Sequence, residues 1–113
     1  MKTPTRDRLR NALKSAMRER DRTALTALRS TLAAIDNAEA VDTATRAGAI
    51  EAAVGLGAAE VARRELSDAQ VEAIVRAEIA ERKTAASEYE GVGESARADA
   101  LRAEAAVLTA QLG

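Results

Sequence analysis

The stretch LSDAQVEAIVRAEIAERKTAASEYE, residues 66–90, has the periodicity of one long helix, yet it carries charges inside its apolar face. At about 100° per residue, Glu78, Arg82 and Tyr89 all fall within about 20° of Val71, which marks the middle of that face. A carboxylate, a guanidinium and the only aromatic ring of the chain therefore stand where a helix normally buries aliphatic side chains. The stretch predicts a helix whose packing needs polar partners as well as apolar ones.

The ends of this helix are marked in the sequence. Ser67 and Gln70 have the spacing of a capping box, in which each side chain bonds the backbone of the other residue. The glycines of GVGES, residues 91–95, end the helix, and Ser95 is in position to cap the next one. The sequence thus predicts a helix–turn–helix pair in the second half of the chain.

A similar pair is predicted in the first half. Thr3-Pro4 resembles a helix start, with a hydroxyl that can cap and proline at the first helical position. Asp21 can cap a second helix, which is predicted to run to about Ala40. The inward positions of the first, second and fourth helices are Leu9, Ala12, Leu13, Ala16 and Met17; Leu25, Leu28, Leu32 and Ile35; and Ala98, Leu101, Ala105, Leu108 and Leu112.

Between the two pairs, residues 41–66 predict a long, partly helical and mobile connection, because Gly48, Gly55 and Gly57 interrupt an alanine-rich segment. Short helices are expected near 48–54 and 58–65. No segment reads as a strand. The predicted fold is therefore all-α: one domain over residues 1–113, built as a bundle of about four principal helices in two hairpins.

Composition excludes several kinds of site. The chain has no cysteine and no histidine, so it has no disulfide, no thiolate nucleophile and no imidazole base or metal ligand. We therefore expect no metal and no cofactor. The sequence shows no apolar run of signal-peptide or membrane-span length, and the expected location is cytoplasmic without membrane association.

Charge is distributed unevenly along the chain. Residues 1–22 hold eight basic and three acidic residues, whereas the whole chain has a net charge of −1. This basic segment favours contact with RNA or an acidic partner, and its candidate contact residues are Arg8, Lys14 and Arg18. The alternative is an ordinary solvated helix face.

Other helices supply possible partners for the charges on the third helix. Glu39 lies near the middle of the second helix's apolar stripe, and Arg29 flanks that stripe. Glu104 flanks the stripe of the fourth helix. We predict a polar network or cleft made of Arg29, Glu39, Glu78, Arg82, Tyr89 and Glu104. It is either a structural network that fixes helix register or a cleft for a partner, in which Tyr89 stacks on a base. A di-metal site is disfavoured because bundle sites of that kind use histidine.

An ordered set of motifs resembles the GatB/YqeY family. The residues that carry the resemblance are Ala16-Met17-Arg18, Asp21, Arg29, Glu65 to Asp68, Glu78, Arg82-Lys83, Tyr89 and Glu104, with residues 41–64 outside the pattern. The resemblance implies a module similar to the C-terminal region of the B subunit of glutamine-dependent tRNA amidotransferases. Family members commonly continue into a helical tail module; since this sequence stops at LTAQLG, the resemblance leads us to expect a module that lacks that tail.

The resemblance implies association with tRNA or with an amidotransferase-type complex, and its usual activity wording is carbon–nitrogen ligase with glutamine as amido-N-donor. We expect a non-catalytic adaptor, because the sequence offers no activated nucleophile beyond a Lys83–Ser87 pair on a helix. The alternative is a protein-interaction or regulatory scaffold without an RNA role, binding a protein partner or a second copy of itself.

Overall fold

Two helical hairpins form the fold of the part of the chain that the computed structural model describes, residues 3–54 and 65–113; for residues 42, 43 and 45–54 it describes the backbone alone. The helices are α1 (Thr5–Glu19), α2 (Arg22–Val54), α3 (Asp68–Gly91) and α4 (Ser95–Ala110). The described ranges contain no strand. The prediction of an all-helical bundle with four principal helices is confirmed.

The hairpin turns follow from local backbone chemistry. Arg20 takes a left-handed conformation with φ 56°, and the Asp21 carboxylate then accepts from the Ala24 N–H at 3.1 Å, which confirms Asp21 as the α2 cap. In the second hairpin Gly93 has φ 83°, which glycine adopts at little cost, and the Glu94 N–H donates to the Tyr89 carbonyl at 2.9 Å.

Of the three other predicted caps, one is confirmed and two are wrong. Ser67 and Gln70 form the capping box of α3. At α1 the N-cap position is Pro4, which has no side-chain cap bond, and α4 begins at Ser95 itself after an uncapped Glu94. Pro4 has an extended ψ of 146°, so α1 starts one residue later than predicted, whereas α4 starts one residue earlier than predicted. Each shift removes the hydroxyl from the capping position.

The second helix is longer than predicted. It continues past Ala40 to Val54, so the first part of the expected connection at 41–66 is helical and continuous with α2. Alanine has the best helix propensity and the single Gly48 costs only about 1 kcal/mol, so the alanines outweigh it. At about 1.5 Å per residue, this 33-residue helix is about 50 Å long. The short helix expected at 58–65 falls almost entirely outside the described residues.

The core is built from a few large aliphatic side chains separated by alanine. Its buried members are Leu9, Ala16, Ala24, Ala27, Leu28, Ile35, Val71, Val75, Ile79, Ala105 and Leu108. The alanines let helices approach closely but bury little area each, so the polar contacts between helices carry more of the specificity. Met17, which was predicted to face inward, is 50% exposed at the end of α1.

Contacts along α2 show the direction of α3. The Leu66 N–H, just before α3, bonds Glu39, whereas Arg82 further along α3 bonds Ser30. The third helix therefore runs toward the first residue of α2. The α1–α2 turn and the α3–α4 turn consequently lie at the same end of the bundle, which we call the turn end.

Candidate functional site

Arg82 joins three helices through one guanidinium. Its Nε donates to Oε1 of Glu104 on α4 at 3.0 Å, and its Nη2 donates to the Ser30 hydroxyl on α2 at 2.6 Å. Its Nη1 donates to the Glu78 carbonyl at 3.1 Å and lies 3.5 Å from Oε1 of the same residue. The side chains of Arg82, Glu78 and Glu104 are 11%, 17% and 17% exposed. A planar fork in this environment fixes the relative positions of α2, α3 and α4.

The Glu78 carboxyl is perturbed by this environment. Its burial raises the pKa of Glu78 above the usual value of 4.5, and the like charge of Glu81 adds to the rise. The Arg82 guanidinium lowers the pKa but does not cancel the effect of burial. The folded chain therefore holds a proton on Glu78 more tightly than the unfolded chain does.

The predicted six-residue network does not form as a single unit. Glu39 is 2% exposed and accepts from both terminal nitrogens, Nη1 and Nη2, of the Arg6 guanidinium on α1. It also accepts from the Leu66 N–H at 2.9 Å. It lies nine residues from Ser30 along α2, about 14 Å away. Glu39 is therefore outside the Arg82 cluster, which consists of Arg82, Glu78, Glu104 and Ser30. Arg29 is exposed and makes no side-chain hydrogen bond or ion pair with any described residue. Ten residues separate it from Glu39, so the two point about 80° apart around the helix.

A second polar cluster lies where α1 and α3 begin. The Thr5 N–H donates to Oδ1 of Asp68 at 2.7 Å, so a carboxylate on α3 caps α1. The Thr5 side chain is fully buried, donates to Oε1 of Glu72 at 3.4 Å and accepts from Nη2 of Arg8 at 3.0 Å. Backbone and side chain of one residue thereby connect the two helix starts.

Tyr89 stands at the turn end, away from the Arg82 cluster. It is half-buried, and the Arg97 guanidinium from α4 lies 5.5 Å from its ring centroid. A groove of about 370 Å³ opens beside it, lined by Ala85, Glu88, Tyr89 and Val92. The ring therefore contacts a surface groove and does not close a central cleft.

The basic segment of α1 is divided between the interior and the surface. Lys14 and Arg18 are exposed, as residues that contact a partner must be. Arg8 is half-buried and bonded to Thr5. Arg10 is exposed and lies on the same side of α1 as Lys14. The exposed row is thus Arg10, Lys14 and Arg18, and Arg10 takes the place that the sequence analysis gave to Arg8.

A family model described as Yqey-like protein matches residues 6–112. The chain belongs to the YqeY-like family. The match includes residues 41–64, which the sequence pattern had left outside the resemblance. No curated protein and no solved structure matches this YqeY-like chain.

Neither a metal site nor a membrane-spanning helix is found in the described part of the YqeY-like chain. Among residues 3–54 and 65–113, no group of three or more acidic, histidine or cysteine side chains is arranged to hold a metal ion. In the same ranges no helix combines the length and the apolar character that crossing a bilayer requires.

Sequence reasoning missed Arg6 and Asp68, although one of them had a signal. Arg6 precedes Leu13 by seven residues, which places it about 20° from Leu13 on the inner face of α1. This is the same pattern of charge within an apolar face that singled out Glu78. Asp68 had no such signal, because its contact with Thr5 depends on how two helix starts meet in space.

Proposed function

We propose that this YqeY-like protein is a non-catalytic helical adaptor that binds tRNA through α1, in association with an amidotransferase-type complex. The observation that carries the proposal is the exposed row of Arg10, Lys14 and Arg18. In this proposal, the carbon–nitrogen ligase activity that the family resemblance implies belongs to other polypeptides of the complex.

The geometry of the row suits a phosphate backbone. Successive members are four residues apart, so their Cα atoms rise by about 6 Å and turn by about 40° per step. None of the three forms an ion pair with a described residue, and Arg18 bonds only Ser15 of its own helix, at 3.3 Å. Unpaired cations lose little when they exchange counterions for phosphates, which supports electrostatic binding without sequence preference.

The non-catalytic part of the proposal rests on the chemistry of the polar residues. The chain has no cysteine and no histidine, and the strongest candidate acid or base, Glu78, is held by Arg82. A carboxylate that is paired with a guanidinium in a mostly buried cluster is poorly placed to exchange protons with a substrate.

The test is fluorescence anisotropy with labelled bulk tRNA at about 50 mM and about 150 mM salt. The test variant reverses the row, with Arg10→Glu, Lys14→Glu and Arg18→Glu together. The matched control reverses three exposed cations elsewhere, Arg29→Glu, Arg76→Glu and Lys83→Glu, and so has the same net charge.

The proposal expects saturable binding by the native chain and its loss in the row variant, with the control close to native. Each lost phosphate contact also reduces the magnitude of the negative slope of log K against log salt by about 0.7 to 0.9. Equal losses in both variants show that net charge alone drives binding and contradict the assignment to α1. Absence of binding at the lower salt concentration contradicts the RNA role.

A further inference from the structure

The turn end exposes apolar side chains that the core does not use. Among the described residues, the exposed large apolar side chains are Met17, Val41 and Val92, and two of the three are at this end. Met17 is 50% exposed next to the α1–α2 turn, and Val92 is 75% exposed in the α3–α4 turn. Val92 lies beside Tyr89 and Ala85, so this end offers apolar surface that a partner can cover.

The two turns carry opposite charge. Residues 14–22, which include the first turn, hold four basic and two acidic residues. Residues 88–94, which include the second turn, hold three acidic residues and no basic one. No ion pair among the described residues joins the two segments; the Glu90 carboxylate is used by Arg102 of α4. Arg18 and Arg20 of the first turn form no ion pair with a described residue, and neither do Glu88 and Glu94 of the second. Each turn therefore keeps charge that a partner of opposite sign can meet, although the Arg97 guanidinium lies 5.5 Å from the Tyr89 ring centroid.

The acidic turn also has space for an apolar side chain. Ala85, Tyr89 and Val92 give the groove an apolar surface, and Glu88 stands at its side. A methionine flanked by arginines matches this groove, since its unbranched thioether chain adapts to irregular surfaces and its neighbours meet the carboxylates. The α1–α2 turn offers such a segment in Met17, Arg18 and Arg20, all exposed.

We propose that the turn end binds a second copy of this chain with two-fold symmetry, Met17 of each copy entering the groove beside Tyr89 and Val92 of the other. The turn end of each copy carries both a basic and an acidic turn. A two-fold axis therefore places the basic turn of each copy against the acidic turn of the other, so the same contact forms twice. The resulting dimer is closed and does not extend into a filament. This inference goes beyond the proposed function, and it makes no use of RNA.

The surface is small, so the association is weak and depends on charge. Two turns per copy bury less than the roughly 1,200 Å² of a standard stable interface. Much of the attraction between exposed charges is screened at high salt, because the Debye length falls from about 10 Å at 0.1 M to about 3 Å at 1 M. We expect a dissociation constant that rises at least about tenfold between about 50 mM and about 500 mM salt.

Sedimentation velocity over a range of protein concentrations tests the proposal with charge reversal. One variant reverses the acidic turn, Glu88→Lys with Glu94→Lys; a second reverses the basic turn, Arg18→Glu with Arg20→Glu; a third combines all four changes. The control for the acidic turn is Asp7→Lys with Asp36→Lys, two exposed carboxylates away from the turn end. Circular dichroism confirms that each variant is folded.

The native chain is expected to dimerise at low salt, and each single-turn variant to lose at least about tenfold in dimer affinity. The combined variant is expected to regain dimerisation, because it exchanges the charges of both halves, and the control is expected to match the native chain. A native chain that stays monomeric at every concentration overturns the proposal. A control that weakens association as much as the acidic-turn variant overturns it as well, and so does a combined variant that fails to regain dimerisation.

Discussion

The carboxylate of Asp68 on α3 caps α1, accepting the Thr5 N–H at 2.7 Å. Most helix caps come from the residue that precedes the helix, and here that residue is Pro4, which has no side-chain donor or acceptor. The first helix thus depends on the third for its terminal hydrogen bond. A defect in this contact is expected to loosen the docking of α1 as well as its first turn.

Asp68→Ala is expected to lower the free energy of unfolding by about 1 to 2 kcal/mol, the usual cost of removing a cap. Asp68→Asn keeps an acceptor oxygen but loses the charge, so it should cost less. Urea unfolding measures both. Ser67→Ala is the matched control, since it removes a cap that serves α3 alone; amide exchange in the first turn of α1 should rise for Asp68→Ala and not for the control. Equal exchange in the two variants would show that α1 does not depend on Asp68.

Replacing one member of the buried Glu39–Arg6 pair is expected to lower the free energy of unfolding. Glu39→Ala leaves a guanidinium buried without its carboxylate and the Leu66 N–H without that acceptor, so it is expected to cost about 3 to 5 kcal/mol. Glu39→Gln keeps an oxygen for the amide and is expected to cost less. Both values come from urea unfolding followed by circular dichroism.

A double-mutant cycle separates the pair from the rest of the site. Arg6→Met combined with Glu39→Gln removes the unpaired charge, so the double variant should be more stable than the sum of the single changes predicts. Strict additivity would show that the two side chains do not interact energetically, in spite of their contact.

Sequence periodicity was sufficient for much of this architecture and for part of the site. The apolar stripes, the Ser67–Gln70 box and the Asp21 cap are local, and each was predicted correctly except for Met17 in the α1 stripe. The position of Glu78 and Arg82 within an apolar face also follows from helical geometry. The structure pairs Glu78 with Arg82 on its own helix, and Arg82 with Glu104 on α4 as well.

The remaining errors concern contacts between distant segments and competition between residues. Glu39 was assigned to the wrong partners because the sequence does not show which helix faces it; Arg6 on α1 reaches it first. The end of α2 was placed about 14 residues too early, since glycine was weighted above the surrounding alanines. The start of α1 is completed by a residue 63 positions away, which no local rule reports.

At Arg82, the contribution of the planar guanidinium to stability can be separated from that of its positive charge. Arg82→Lys keeps the positive charge but replaces a planar fork with a point donor, which cannot serve Glu104, Ser30 and the Glu78 carbonyl together. We expect a loss of about 1 to 3 kcal/mol in thermal or urea unfolding. Ser30→Ala removes one of these partners and should cost about 1 kcal/mol or less. A lysine variant as stable as the native chain would show that charge alone is sufficient at this position.

Glu78 gives the fold a defined dependence on pH. Because burial raises its pKa, the folded chain holds this proton more tightly than the unfolded chain does. Below the unfolded value of 4.5 both states are protonated and the contribution of Glu78 to stability is complete. As pH rises through that value toward the folded pKa, the unfolded state ionises first, so this contribution to stability is lost.

Glu78→Gln does not titrate, so its stability relative to the native chain should increase as pH rises above 4.5 and level off once the pH exceeds the folded pKa of Glu78. Urea unfolding at a series of pH values measures this difference, and carbon NMR of the Glu78 carboxyl gives the folded pKa directly. The comparison isolates one residue, because the other carboxylates are common to both chains. A relative stability that falls over the same range would mean that attraction to Arg82 outweighs the cost of burial and that the pKa of Glu78 is lowered in the fold.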